Sequence, residues 1–366
     1  MSDFSLTTTT QEPDLDTAMK VVYQWNYESE VDELRSLYVK AAEAQWVAER
    51  DLDWSQPIDL AKLSTTPVSS SVPFEACSYW KAIPDERRWE MTRQAAAFRL
   101  SNFLHGEQGA LMVASQLVSA VPHTDAKFYA ATQTMDEARH VEVFARYLQK
   151  IDGQRPIAPP LKSVLDATLQ TGNFMHKLVG MQIVVEGLAL FSFKRMRSMT
   201  EEPLLKHLLE YVARDESRHH AYGVQYIERC VPCLSDSERV ELEDFALHAA
   251  TTLAGSVSQR GLFEAFVRAW ADSGVDVAEL ILCVQREREE ISKGISRTQQ
   301  LGPVTGFVIP TLRRCGLLSE RVAHHYHDLV KDALGTGLVG GTVEEFMKLI
   351  PGLPADTAAW VLSNVN

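Results

Sequence analysis

Two short stretches of this chain copy one another. Asp136-Glu137-Ala138-Arg139-His140 and Asp215-Glu216-Ser217-Arg218-His219 each place a Glu and a His three residues apart. On a helix that spacing sends both side chains out from one face. Two further carboxylates, Glu107 and Glu186, stand inside apolar runs at 103–111 and 181–190. A lone carboxylate in such a run is costly to bury unless a partner or a metal ion holds it. Glu107 precedes Glu137 by 30 residues and Glu186 precedes Glu216 by 30, so one pattern occurs twice with an offset of 79 residues. Four carboxylates with two imidazoles suit iron or manganese better than zinc, which takes fewer ligands and often thiolates. Two divalent ions balance the four charges and leave the imidazoles neutral.

The elements that must position these residues follow from the spacing. In an antiparallel helical hairpin, residues equidistant from the turn lie at one height. The first pair is centred on Pro122 and the second on Glu201, beside Pro203, and both are plausible helix breaks. Each carboxylate then lies roughly 20 Å from its turn. Helices are expected over about 85–121, 123–151, 161–199 and 201–229, with a Pro-rich crossover from Arg155 to Pro160. Two such hairpins bring all six residues to one level of a bundle core, the ligand arrangement of a ferritin-like dinuclear site. The fold class is therefore all-α, a ferritin-like four-helix bundle with added N- and C-terminal helices.

Around that core the expected divisions are a disordered lead at 1–16, a helical extension and linker at 17–84, the bundle at 85–231 and a C-terminal helical region at 232–366. Helical spacing of Tyr23, Tyr27, Leu34, Leu37, Tyr38 and Ala41 extends the first helix over 17–50, before a Ser/Thr/Pro-rich connector at 64–73. The C-terminal region carries no legible chemistry and is expected to cover the bundle or form a homodimer surface.

Within the site, Glu137 and Glu216 are the expected bridges, because each can reach both ions. Asp136 and Asp215 project about 100° round their helices from those glutamates. They are expected to accept the free N–H of the histidine on the partnered helix, with Arg139 and Arg218 neutralising them. His220 faces away from His219 and reads as a helix-surface residue. Tyr211 and Tyr222 are candidate buried phenols. One turn from the ligands, Phe103, Ala110, Phe144, Ile183 and Leu190 are the candidate lining of an apolar substrate pocket.

Composition excludes several other classes. The 366 residues are 45% hydrophobic and 23% charged, an ordinary globular balance. The net charge of −13, from 36 basic and 49 acidic residues, argues against a nucleic-acid surface. No run is expected to span a membrane, and the polar start has no signal-peptide core. Five cysteines at irregular spacing suit a reducing cytoplasm, and Cys230-Val231-Pro232-Cys233 reads as a helix-end pair of inert thiols.

Over about 95–230, the paired Asp-Glu-x-Arg-His motifs resemble those of the dinuclear iron carboxylate proteins of the ferritin-like superfamily. They look most like bacterial multicomponent monooxygenase hydroxylases, with kinship to ribonucleotide reductase small subunits and arylamine N-oxygenases. The resemblance implies one iron on Glu107, Glu137 and His140 and another on Glu186, Glu216 and His219. It also assigns Asp136, Arg139, Asp215 and Arg218 to the shell behind them. There are departures. Phe144 stands where reductase subunits carry a radical Tyr, and Glu107 where their set usually begins with Asp. Leu190 stands where hydroxylases carry a Thr, and Val212 where N-oxygenases carry an extra His.

What the resemblance implies is an O2-activating oxygenase or oxidase with two Fe ions, or Mn/Fe, and O2 as co-substrate. Two metals at one site deliver two electrons together. The substrate is expected to be a small organic molecule. The reductant is expected to be external, a ferredoxin or flavin reductase, because no nucleotide fingerprint is present. A ferroxidase or iron-handling protein and a radical-generating partner subunit are the alternatives.

Overall fold

The computed structural model describes residues 15–63 and 76–291, apart from 18, 255–263, 265, 266 and 269, together with residues 303–335, 354–356 and 359. Among them there is no strand, and the fold is all-α. The expected lead at 1–16 and the connector at 64–73 fall almost wholly outside the described residues.

A short N-terminal group, α1 (Asp32–Glu43), α2 (Ala48–Asp51) and α3 (Ser78–Ala82), precedes the long helices α4 (Asp85–Ala120) and α5 (Thr124–Ile151). Asp85 and Glu86 occupy the first turn of α4, where acidic side chains complement the helix dipole. Pro122 ends it, forcing Val121 into extended geometry at φ −73° and ψ 143°. Then come α6 (Pro159–Gln170), α7 (Phe174–Leu178), a π-helical segment (Val179–Val185), α8 (Glu186–Met199) and α9 (Pro203–Cys230). The Glu202 carboxylate caps α9, accepting from Leu205 N at 2.7 Å. The α4–α5 and α8–α9 hairpins form the bundle, and α1 packs across α5 and α9.

Two expectations about these helices are corrected. The helix expected over 161–199 breaks at 171–173, where Asn173 caps α7 by accepting from Met175 N at 2.9 Å. It then widens into the π turn that ends at Glu186, as helices often do at functional positions. The helix expected over 17–50 begins only at Asp32, and the described residues before it have no regular secondary structure. Tyr23 and Tyr27 are 77% and 67% exposed, so their helical spacing serves no packing face. A tertiary partner decides the start of α1. The buried Asp125 carboxylate of α5 accepts from Glu30 N at 2.8 Å and Val31 N at 2.9 Å, satisfying donors that a longer helix would satisfy internally.

Two apolar clusters sit on either side of the ligand level. One, towards the Pro122 turn, contains Val113, Leu117, Tyr129, Tyr222 and Tyr226 and reaches α10 (Asp236–Ala254), α12 (Ile309–Arg314) and α13 (Glu320–Gly335). The other, towards Thr200, contains Trp46, Leu100, Phe144, Leu190, Phe193, Leu208 and Val212. Between α10 and α12 lies α11 (Val277–Ile291), which packs on α3. Residues 174–199 correct a further expectation, since by length and composition they could cross a membrane, with a mean hydropathy of 1.4 over the most apolar 18-residue window. Their most apolar window is 72% buried within the protein, as befits a core helix.

Candidate metal centre

All six candidate ligands meet in the core, and none is more than 5% exposed. His140 Nδ1 lies 3.2 Å from Glu107 Oε2, 3.2 Å from Glu137 Oε2 and 3.2 Å from Glu216 Oε1. His219 Nδ1 lies 3.0 Å from Glu137 Oε1 and 3.5 Å from Glu216 Oε1. Their donor atoms form two groups, Glu107 with Glu137, His140 and Glu216, and Glu137 with Glu186 and His219. Glu137 belongs to both, presenting one oxygen to each histidine. Glu216 Oε1 also lies between the imidazoles, but its group is that of His140 from the other hairpin.

Behind the imidazoles the hairpins cross over. His140 Nε2 faces Asp215 Oδ2 at 3.3 Å, and His219 Nε2 faces Asp136 Oδ2 at 3.3 Å. A carboxylate at each Nε2 keeps the proton there and leaves the Nδ1 lone pair directed at the glutamates. Arg139 donates to Asp136 and, at 3.2 Å, to Asp215. Arg218 donates to Asp215 and stands 3.9 Å from Asp136.

This donor set fits two cations. Both oxygens of Glu216, Oε2 of Glu186 and Nδ1 of His219 are buried with no hydrogen-bond partner. Lone pairs facing one another in a dry core repel unless positive charge lies between them. Burial first, and then the charge on Glu216, raises the Glu107 and Glu186 carboxyls well above their ordinary range. Burial also works against ionisation of Glu137, but His219 and His140 outweigh it and hold that carboxyl low. Burial likewise opposes charging of His140, yet hydrogen bonding to Asp215, Glu107 and Glu137 raises it. Pairs of ions would take the place of those protons.

Several neighbours were not legible in the sequence. One loop between α1 and α2 serves both aspartates. Gln45 Nε2 donates to Asp136 Oδ1 at 2.9 Å, and Trp46 Nε1 donates to Asp215 Oδ2 at 2.7 Å. The Arg139 guanidinium also lies over the Trp46 ring, 4.7 Å from its centroid. Gln133, one turn before Glu137, donates to Glu137 Oε1 at 3.0 Å and Glu186 Oε1 at 2.6 Å. The one available signal was position, since residue 133 shares the helix face of residue 137. His220 is half-buried against Phe307, with Nδ1 2.9 Å from the Gln182 carbonyl oxygen, and takes no place among the ligand atoms. Tyr222 is buried, while Tyr211 is half-buried and stacks on Trp46.

The five candidate pocket residues divide by side. Phe103 and Phe144 join Phe193 in an aromatic group on the Thr200 side, with ring centroids 4.6 to 6.0 Å apart. Leu190 lies in the same cluster, whereas Ala110 and Ile183 lie in the opposite one. A cavity beyond the aromatic group is lined by Leu63, Ala96, Arg99, Leu100, Met196, Met199, Thr200 and Leu205. None of the five lines it. Leu100 and Met196 lie one helical turn from Phe103 and Phe193, so the rings separate the cavity from the ligand level.

The family model described as p-aminobenzoate N-oxygenase AurF matches residues 28–278. Among solved structures, an R2-like ligand-binding oxidase with an aerobically reconstituted Mn/Fe cofactor is 18% identical, with a TM-score of 0.45, covering 72% of this chain and 93% of that one. A variant of such an oxidase with an anaerobically reconstituted Mn/Fe cofactor is also 18% identical, with a TM-score of 0.49, covering 81% and 95%. No curated protein matches the chain.

Proposed function

The chain belongs to the p-aminobenzoate N-oxygenase AurF family, and from that membership and the core geometry we propose that it oxygenates a small, largely apolar organic molecule at a carboxylate-bridged dinuclear centre. Membership makes it an O2-using non-heme dinuclear-metal oxidoreductase. The single observation carrying the residue assignment is Glu137, whose two oxygens lie 3.2 and 3.0 Å from the Nδ1 atoms of two different histidines.

In this reading Glu107, Glu137, His140, Glu186, Glu216 and His219 hold two metal ions, iron in both positions or manganese with iron. Metal ions bound by these residues would make electrons available to O2 in pairs. The protein supplies the rest. Asp136 and Asp215 fix the imidazole tautomers, and Arg139 and Arg218 keep those aspartates ionised. Gln133 holds Glu186 against Glu137. The Phe103, Phe144 and Phe193 rings keep water from the Thr200 side of the centre and offer an apolar face to a substrate. An aromatic amine oxidised at nitrogen is the substrate that the family description favours. Electrons come from an external donor of the ferredoxin or flavin-reductase kind. Five free thiols support a reducing, cytoplasmic setting.

The test combines metal analysis with stoichiometry. Wild-type protein is expected to hold about two metal ions per chain and Glu137→Ala markedly fewer. With a reductant and candidate arylamines, O2 uptake should match organic product. O2 uptake that oxidises iron without product would instead identify a ferroxidase. Unchanged metal content in Glu137→Ala would end the bridging assignment.

A further inference from the structure

Three buried tyrosines run from the ligand level to one end of the bundle. Tyr129 lies edge-on to His219, ring centroids 6.4 Å apart, and packs on Tyr222 at 4.6 Å. Tyr222 lies 6.0 Å from Tyr226. The Tyr226 hydroxyl and His123 Nδ1 are in hydrogen-bonding contact at 2.8 Å, and in the Nε2–H tautomer of His123 the hydroxyl is the donor. All three phenols are at most 1% exposed, while His123 is half-buried in the turn between α4 and α5. No metal-ligand role claims any of these four residues, and the Tyr129 hydroxyl has no hydrogen-bond partner.

The internal duplication of the chain isolates what is special here. Shifting by the 79-residue offset relates Tyr226 to Tyr147, Tyr222 to Val143, Tyr129 to Leu208 and His123 to Glu202. The terminal pair survives in both halves, since the Tyr147 hydroxyl donates to Glu202 Oε2 at 2.8 Å. The two residues that connect it to the ligand level are aliphatic in that half and aromatic in this one. Packing alone does not require phenols, because Val and Leu fill the equivalent positions.

We propose that Tyr129, Tyr222 and Tyr226 with His123 form a one-way electron relay, through which an external one-electron donor at the His123 end supplies the O2-oxidised centre when no substrate is bound. The proposal rests on the dinuclear reading above. One electron leaves Tyr226 and reaches the centre by way of Tyr222 and Tyr129, which undergo no net change. The Tyr226 phenolic proton moves along the existing hydrogen bond to His123 Nδ1, leaving a neutral tyrosyl radical beside an imidazolium. A reduced ferredoxin or flavin donor then returns one electron to Tyr226, and His123 returns the proton. Tyr226 is the station able to hold the oxidising equivalent, because it alone of the three has a basic nitrogen to receive its proton. The Tyr222 hydroxyl meets the Ala126 carbonyl oxygen at 3.2 Å, a much weaker base.

Two electron paramagnetic resonance measurements on the full chain test this. In the first, protein loaded with ferrous iron is mixed with O2 without substrate and frozen at successive times. In the second, metal-free protein carrying Tyr23→Phe and Tyr27→Phe, which removes two highly exposed tyrosines, is oxidised by flash-generated ruthenium(III) in solution, which needs no reaction at the metal site. A tyrosyl radical is expected in both, and Tyr226→Phe should remove it from both. His123→Gln should shift its g-tensor, reporting loss of the imidazole hydrogen bond. Tyr222→Phe preserves ring packing and should lower the O2-generated radical at least tenfold while sparing the flash-generated one. Tyr147→Phe should leave both signals unchanged. A radical that persists in Tyr226→Phe, or an O2-generated signal undiminished in Tyr222→Phe, overturns the relay. So does O2 uptake by the wild type without any radical. If loaded protein takes up no O2, the functional reading fails, and the flash experiment alone decides whether Tyr226 and His123 form the terminal station.

Discussion

The two sides of the carboxylate layer began from one repeated pattern and differ in almost every residue next to the ligands. Towards Thr200 the neighbours include the apolar side chains of Phe103, Phe144, Phe193, Leu208 and Val212, with the donors of that cluster, Trp46 and Tyr147, turned to Asp215 and Glu202. Towards Pro122 they include Gln133, Gln182, Tyr129 and Tyr222, with the buried Lys177 further on. The duplicated offset pairs Val212 with Gln133, Phe103 with Gln182 and Phe144 with Gly223. The ligands are thus constrained alike in both halves while their surroundings are not. A repeated set of donors thus has a largely apolar face on one side and a hydrogen-bonding face on the other.

The largest expected effect lies on the dry side. Phe144→Ala should cost about 3–5 kcal/mol in urea unfolding, by leaving a cavity among close-packed rings. Its counterpart fails for the opposite reason. In Gly223→Ala the new Cβ would lie 2.5 Å from Gln182 Cβ, against α8's π-helical approach. That crowding should cost about 1–3 kcal/mol, read from the same transition. Equal effects from cavity filling at both positions would break the contrast between the two sides.

On the polar side, Gln133→Leu removes the donor shared by Glu137 and Glu186. Metal affinity should fall about 10–100-fold in a competitive chelator titration, with the fold retained by circular dichroism. An unchanged affinity would reduce Gln133 to a packing residue. The terminal tyrosines offer a milder comparison. Tyr147→Phe breaks a bond to the carboxylate that also caps α9 and should destabilise by about 1.5–3 kcal/mol. Tyr226→Phe breaks a neutral bond and should cost about 0.5–1.5 kcal/mol.

Lys177 supplies a pH-dependent effect. Burial lowers its ammonium from 10.5 to about 8, although Gln116 Oε1 and two carbonyl oxygens of α6 accept from it. Between those values the unfolded chain holds a proton that the folded chain has released, so this group makes stability rise with pH. Lys177→Met should remove that rise, measured as the wild-type-minus-variant difference in unfolding free energy from about pH 7 to 10. A difference independent of pH would mean that the lysine stays charged in the fold.

The meeting of the six candidate ligands was readable because helical geometry is strictly periodic. Two carboxylates 30 residues apart across a proline-marked turn have few other ways to lie in a packed hairpin. The cross-over of His140 to Asp215 and His219 to Asp136 was readable for the same reason, from adjacency within each motif. Gln45 and Trp46 were not, because they come from a loop about 90 and 170 residues away from the aspartates that they meet. No periodic signal marks a loop residue for a distant partner. The non-helical chain before Asp32 was hidden for a related reason, since the donors at 30 and 31 are satisfied by Asp125 of α5 rather than by neighbours in sequence.

By itself, the sequence determined the all-α class, the two hairpins and the six residues that share a level, all consequences of local helical repeat and turn chemistry. Tertiary structure alone decided which oxygen faces which imidazole and where the third long helix breaks. It also decided that Glu137 is the carboxylate common to both ligand groups and that Phe rings close one side while tyrosines line the other. Those outcomes depend on side chains from separate helices meeting at distances near 3 Å, where a fraction of a turn changes the partner. Periodicity places a residue on a face. Only packing between faces chooses its contacts.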